Sequence, residues 1–320
     1  MYGELHWIER EIEIGDSMDV SEQQHRIAVL GIGNMGRALV ERLLDRGWSV
    51  AFWNRSSRDF TELEAQGAIR LETLENLWEH ADVVIAFLAD DDSLADVCLG
   101  DTHVLLSGSG HRTFIDMSTV SPMISAAVAM KATEVAVDYL RSPVSGNPAV
   151  LMAGDATLYV SGPRDSFENM EQLLHSIGGV VLYVGEHEQA RTLKLAINSG
   201  LGVTAQIMAE LVVLGERNGI DRSILLNALG VSVVGSPFVR YKTPGLVDRD
   251  YSATFTTDHL IKDLEMAVGL AHDADVSLPV IELVKVMAEL ASTNGYGAAD
   301  LAALLPSLQM SLGIIPDVLP

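Results

Sequence analysis

Two groups of residues in this chain have types and spacings that could do chemistry. The first is Gly31, Gly33 and Gly36 in VLGIGNMG, a G-x-G-x-x-G that leaves the apolar run RIAVLGIG (26–33) and opens the amphipathic pattern NMGRALVERLLDRG (34–47). Glycines there permit a tight turn and close backbone approach, while a helix N-terminus offers N–H groups and a positive dipole end to a pyrophosphate. The second is Lys194 in TLKLAIN. At helical spacing Ala190, Ile197, Asn198, Leu201 and Ala205 share its face, so a mostly apolar stripe carries one ammonium and, a turn later, one carboxamide. Such a lysine either lies along the helix with its charge in water or is held there for a task.

The end of the second strand selects the dinucleotide. An acidic residue about 20 residues past the glycine loop would hydrogen-bond the ribose 2′-hydroxyl of NAD. Here SVAFWN (49–54) runs into Asn54, Arg55, Ser56 and Ser57 instead. No carboxylate repels a 2′-phosphate, Arg55 can pair with it, and the serines add hydroxyl donors. The expected cofactor is NADP rather than NAD.

These residues need elements to position them. Further apolar runs lie at 82–88, 113–118, 135–140, 157–162 and 180–185, with helical patterns such as TELEAQG, SPMISAAVAMKA and SFENMEQLLHSIG between several of them. That alternation implies a doubly wound α/β fold, a parallel sheet with helices on both faces. After about residue 186 the strands stop. Helical segments follow at 187 to about 218, 221–229, 257–275 and 278–293, with Pro and Gly at the joints GSPF, KTPG, SLP and NGYG. The expected organisation is a polar extension at 1–24, a Rossmann domain at 25–186, and an all-α substrate and dimerisation domain at 187–320 whose long first helix carries Lys194.

Composition narrows the function classes. At 320 residues, 48% hydrophobic and 20% charged, the chain resembles an ordinary globular protein of about two domains. The richest apolar stretch, Leu193 to Gly215, is interrupted by Lys194, Asn198, Gln206 and Glu210, so no membrane span is expected. The acidic N-terminal stretch lacks an apolar h-region and reads as no signal peptide. The single cysteine, Cys98, excludes an intramolecular disulfide and fits a reducing, cytoplasmic setting. A net charge of −23 argues against nucleic-acid and anionic-membrane partners, and it means that an anionic ligand must be held by local donors. The nine histidines include no His-Glu-x-x-His pair, so no metal is expected. The partner left is a small-molecule substrate.

Six motifs, in order over about residues 26–300, resemble the β-hydroxyacid dehydrogenase family, which includes 3-hydroxyisobutyrate dehydrogenases, semialdehyde reductases and, more distantly, 6-phosphogluconate dehydrogenase. GIGNMGRAL resembles its cofactor loop and FLADDDSLADVCLG its cofactor-contacting strand end. DMSTVSP (116–122) and SPVSGNP (142–148) resemble its substrate-side loops. Lys194 and Asn198 match its K-x-x-x-N, and KDLEMA (262–267) its KDL-x-LA. The resemblance implies cofactor contacts from Gly31, Ile32, Gly33, Asn34, Met35, Gly36, Asn54, Arg55, Ser56, Leu88, Ala89 and Ser118, with Met35 walling the nicotinamide pocket. Lys262 would close over the nicotinamide side and Asp263 would fix it and reach the substrate. Ser118, Ser145 and Gly146, with Asn147 beside them, would hold the substrate carboxylate.

By the same resemblance Lys194 is the catalytic acid/base and Asn198 orients the substrate, since i, i+4 side chains leave a helix on one side. Hydride arriving at a carbonyl creates an alkoxide that a nearby ammonium can stabilise and protonate. In the oxidative direction Lys194 must be neutral, which requires desolvation to lower its pKa. The implied enzyme is an NADP-dependent reductase or dehydrogenase of small 3-hydroxyacids or semialdehydes, a homodimer through its helical domains.

Several positions depart from the family pattern. Glu188 and Ala190 stand where glycines are usual, Asn147 and Val150 likewise, and Arg141 stands where an acid is common. These departures surround the carboxylate pocket and bear on the substrate more than on the fold. Arg141 and Arg191 could bind an extra anionic group, or each could be a surface charge. Imine reductases share the architecture and often show W-N-R, as at Trp53 to Arg55, but typically lack a lysine at Lys194. A non-catalytic NADPH-binding scaffold, like chromatin-associated relatives, loses that lysine too. K-x-x-x-N and KDL favour the hydroxyacid branch.

Overall fold

The computed structural model describes residues 25–75, 77–100 and 112–318. The extension expected at 1–24 lies outside them. The first strand, β1 (Ile27–Leu30), sends Ile27 and Val29 into one apolar cluster and Ala28 and Leu30 into another. Burial on both faces is the signature of a strand sandwiched between helices. Helix α1 (Asn34–Asp45) follows, then β2 (Val50–Trp53), α2 (Thr61–Ala65), β3 (Ile69–Arg70), α3 (Leu77–His80), β4 (Val83–Ala86), α4 (Asp91–Leu99), β5 (Arg112–Asp116) and α5 (Pro122–Glu134). The last strands are β6 (Val137–Arg141), β7 (Val144–Ser145), β8 (Thr157–Ser161) and β9 (Val180–Gly185), with α6 (Pro148–Ala153) and α7 (Arg164–Ile177) between them.

These strands form one sheet in the order β3-β2-β1-β4-β5-β6-β8-β7, with β9 beside β8. The order reverses between β1 and β4, and in open α/β sheets ligands bind at the carboxyl ends on either side of such a switch. The expectation of a parallel sheet needs one correction: β8 runs antiparallel to both β6 and β7. Its link to β7 holds only short α6, and a parallel return needs a crossover of about a dozen residues or more.

Beyond β9 the chain is helical: α8 (Gln189–Arg217), α9 (Arg222–Val231), α10 (Pro237–Asp248), α11 (Thr257–Asp273), α12 (Pro279–Ala291) and α13 (Leu304–Ser311). A third apolar cluster, including Met208, Val212, Leu260, Leu264 and Val284, holds them together. One expectation is corrected here. KTPG is no joint, because Pro244 and Gly245 lie inside α10. An interior proline costs a helix about 3 kcal/mol, which α10 offsets by burying Val239 and Leu246 in the third cluster. By length and composition alone α8 would be long and apolar enough to cross a membrane, but half of its most apolar stretch is buried inside the fold. It packs there against α11, α12 and α13.

At 29 residues, α8 is about 43 Å long, and its start is fixed to the sheet. The Ser161 hydroxyl at the end of β8 donates to the His187 carbonyl (2.6 Å) and accepts from the Ala190 N–H (3.3 Å). Lys194 follows one turn later in the same helix.

Candidate active site

The glycine turn is built for a ligand in a specific way. Gly31 has φ +85°, and a Cβ there would sit 2.1 Å from the Phe87 carbonyl oxygen; one on Gly36 would sit 2.0 Å from the Gly31 carbonyl oxygen. Those two glycines are demanded by the protein's own packing. Gly33 differs: a Cβ there would meet nothing within 4 Å. Helix α1 starts at this residue with no side-chain cap and no acidic residue in its first turn, so its leading N–H groups and dipole remain available to an anion. The turn fits the pyrophosphate of a dinucleotide.

The neighbouring loop is held by Asn54, whose Oδ1 accepts from the Ile32 N–H (2.8 Å) and whose Nδ2 donates to the Ser56 carbonyl (2.8 Å). Asn54 thus braces the two cofactor loops against each other. Arg55 projects beside them, 71% exposed, with the Asp96 carboxylate 3.7 Å away. Asn34 and Ser56 are exposed, and Met35 packs half-buried against the first apolar cluster.

At the ends of β4 and β5 the main chain is organised by Ser118. Its hydroxyl accepts from the Leu88 N–H (2.8 Å) and its own N–H donates to Asp116 Oδ1 (2.9 Å). Lys262 reaches across from α11 and donates to the carbonyls of Ala89 (3.1 Å) and Thr119 (2.8 Å). These residues, expected from the motifs to lie together, do so. Ser145 and Gly146 form the next loop, where Asn147 caps α6 by accepting from the Val150 N–H (2.9 Å) and donates to the Tyr241 hydroxyl (2.9 Å). The loop is thereby tied to α10, a contact that the motifs do not reveal.

Lys194 is buried, only 8% exposed. Burial lowers its pKa to about 8, opposed by the attraction of Asp263 and aided by the repulsion of Lys262. Asn198, one turn on, donates to Asp263 Oδ2 (2.6 Å). Burial also raises the Asp263 pKa above the ordinary carboxylate range, against the pull of Lys262, Asn198 and Lys194. Two buried acceptors here, Asn198 Oδ1 and Asp263 Oδ1, have no hydrogen-bond partner among the described residues. Such orphans are costly. A substrate hydroxyl or the lysine itself could satisfy them.

The expectations for Arg141 and Arg191 fail. Neither is a surface charge, and each faces a carboxylate of the protein itself. Arg191 is buried in an ion pair with Asp116, and Arg141 in one with Glu188. Residues that sequence reasoning missed are Asp116, Tyr139, Thr119 and Tyr241. The available signal was the motif DMSTVSP, which contains both Asp116 and Thr119.

Comparison with known proteins agrees with the fold. Residues 26–185 match the family model described as the NAD-binding domain of 6-phosphogluconate dehydrogenase. Residues 189–308 match that of the NAD-binding part of NADP-dependent 3-hydroxyisobutyrate dehydrogenase. Glyoxylate/succinic semialdehyde reductase 2 of Arabidopsis thaliana is 26% identical over 88% of this chain and 79% of its own. Among solved structures, a Mycobacterium tuberculosis 3-hydroxyisobutyrate dehydrogenase has a TM-score of 0.81 at 22% identity, covering 90% of this chain and all of that one. An imine reductase from Pseudomonas sp. reaches 0.58 at 21% identity, covering 89% and 100%. The fold is shared with both.

Proposed function

The chain belongs to the 3-hydroxyisobutyrate dehydrogenase family of oxidoreductases, and from that premise we propose that it moves hydride between NADP and a small 3-hydroxyacid or its semialdehyde. The observation that carries the reading is Lys194: an amine buried on α8, one turn before Asn198 and close enough to feel the Asp263 charge, with a pKa lowered to about 8 and two buried acceptors on those neighbours lacking a hydrogen-bond partner among the described residues. A general acid/base works best when its pKa lies near the operating pH, and an ordinary surface lysine would not meet that condition.

A bound nicotinamide dinucleotide supplies or accepts the hydride. In reduction, the Lys194 ammonium hydrogen-bonds the carbonyl oxygen, stabilises the charge that develops there and gives it a proton, yielding the alcohol. In oxidation, the neutral Lys194 amine removes the hydroxyl proton. Asn198 is held by Asp263 and presents its remaining amide groups to the substrate. Ser118, Ser145 and Gly146 offer donors to a carboxylate, which in a chain of net charge −23 must be bound by such local groups. Lys262, by bridging α11 to the Ala89 and Thr119 carbonyls, holds the cleft closed on the nicotinamide side. The preference for NADP is supported by exposed Arg55 and the absence of an acid at the end of β2.

A homodimer belongs to the same proposal. Val280, Leu283, Val286 and Leu290 form an exposed apolar stripe on α12, and Ile207 and Leu214 are exposed on α8. A stripe of that kind marks an association surface. The setting proposed is cytoplasmic.

The test is oxidation of NADPH, with NADH alongside, against short semialdehydes, glyoxylate and cyclic imines. Turnover of a semialdehyde with NADPH supports the reading. Turnover of imines alone would move the protein to the imine-reductase reading, and cofactor binding without turnover of any carbonyl or imine would leave a scaffold.

A further inference from the structure

We propose that Arg191 is a positioning residue: by tying the first turn of α8 to the end of β5, it sets Lys194 opposite Ser118. The inference rests on the acid/base reading of Lys194 given above. Arg191 is 1% exposed and stands three residues before Lys194, so the two side chains are neighbours on the helix surface. Its guanidinium donates to the Asp116 carboxylate (2.5 Å), to the Tyr139 hydroxyl (3.2 Å) and to the main-chain carbonyl of Ser118. Asp116 in turn accepts from the Ser118 N–H (2.9 Å) and the Tyr139 hydroxyl (3.0 Å). The main chain of Ser118 is therefore held at both ends, its C=O by Arg191 directly and its N–H through Asp116. Its side chain then fixes the Leu88 N–H, so a single guanidinium on α8 sets the loops after both β4 and β5.

A second, partly buried pair holds the same turn. Glu188, three residues before Arg191, is bonded to Arg141 at the end of β6, and the Arg141 guanidinium lies 4.7 Å over the Tyr139 ring. Tyr139 is thus packed between the two arginines, each facing its own carboxylate. This is an inefficient way to stabilise a fold, because well-packed apolar residues commonly match or exceed a buried ion pair. What a guanidinium adds is a rigid fork of donors that fixes distance and angle. Reacting groups misplaced by about 1 Å can lose on the order of 10²-fold in rate, so fixing the Lys194 turn relative to Ser118 has a kinetic consequence.

The experiment compares the wild type with Arg191→Lys, Arg191→Met and the double variant Arg191→Met/Asp116→Asn. Single-turnover NADPH oxidation with the best semialdehyde, NADPH affinity by fluorescence and Tm are measured on each. Hydrogen exchange at the Leu88 amide is followed in the same samples. The single variants are expected to lose about 10²-fold in the single-turnover rate at saturating NADPH, a loss that any change in NADPH affinity does not account for. The double variant, which removes both buried charges, should regain Tm but not rate, and its Leu88 amide should exchange faster while those of β1 do not. If Arg191→Lys keeps the wild-type rate, or the double variant recovers rate together with Tm, only charge balance matters and the proposal is overturned. Should the single variants fail to fold, the double variant decides. The Leu88 exchange needs no turnover: if it is unchanged the tie is wrong, whereas a wild type indifferent to Lys194 refutes the functional reading instead.

Discussion

Lys194→Met removes an amine from a place where burial holds its pKa at about 8 instead of the ordinary 10.5. The unfolded chain keeps that proton up to about pH 10.5 and the folded chain only to about pH 8, so the unfolded state binds more protons between these values and stability rises with pH there. Below pH 8 the full penalty for the buried charge is present. At 1.36 kcal/mol per tenfold, the gap is worth about 3 kcal/mol at pH 7, falling to about 2 kcal/mol at pH 9 and below about 1 kcal/mol at pH 10. Methionine is of similar length and carries no charge. The variant is therefore expected to be more stable than wild type by about 3 kcal/mol at pH 7, with the two converging near pH 10.5, while losing activity. Urea unfolding of the cofactor-free protein at pH 7, 9 and 10 measures this directly. Equal stability at pH 7 would mean that the amine reaches water. Lower stability would mean that Asp263 depends on it as a counter-charge. Either result refutes the reasoning.

The same pKa gives the rate a sign: reduction needs the ammonium, so kcat should fall as pH rises through about 8, and oxidation, which needs the amine, should rise over the same interval. Arg55→Ala should raise KM for NADPH about tenfold and leave NADH unaffected, since one charge-assisted pair with the 2′-phosphate is worth about 1.5 kcal/mol; equal effects on both cofactors would refute the assignment. Gly31→Ala, which drives a Cβ to 2.1 Å from the Phe87 carbonyl oxygen, should abolish soluble expression, whereas Gly33→Ala should fold with an unchanged Tm and bind NADPH weakly. Light scattering at micromolar concentration should give a dimer, and a monomer would refute the role given to the α12 stripe.

Much of this molecule was legible before its structure. The glycine spacing, the alternation of strands and helices and the Lys194–Asn198 interval are local patterns, and local patterns survive folding because their cause is backbone geometry. The failures share a different cause. The antiparallel course of β8 depends on how little chain α6 supplies, and Pro244 sits inside α10 because tertiary burial outweighs its intrinsic cost. The pairings of Arg191 with Asp116 and Arg141 with Glu188 join residues 75 and 47 positions apart. No periodicity links such partners, so each arginine looked like a ligand or a surface charge. In the same way nothing in SPVSGNP announces that Asn147 will meet Tyr241, 94 residues on.

The most direct test of the account is steady-state NADPH oxidation with a short semialdehyde, by wild type and Lys194→Ala, from pH 6 to pH 10. The account predicts that the variant loses about 10² to 10⁴-fold, the usual contribution of a general acid, and that the wild-type rate declines above about pH 8. A variant that keeps the wild-type rate, or a wild-type profile flat across that range, would contradict it.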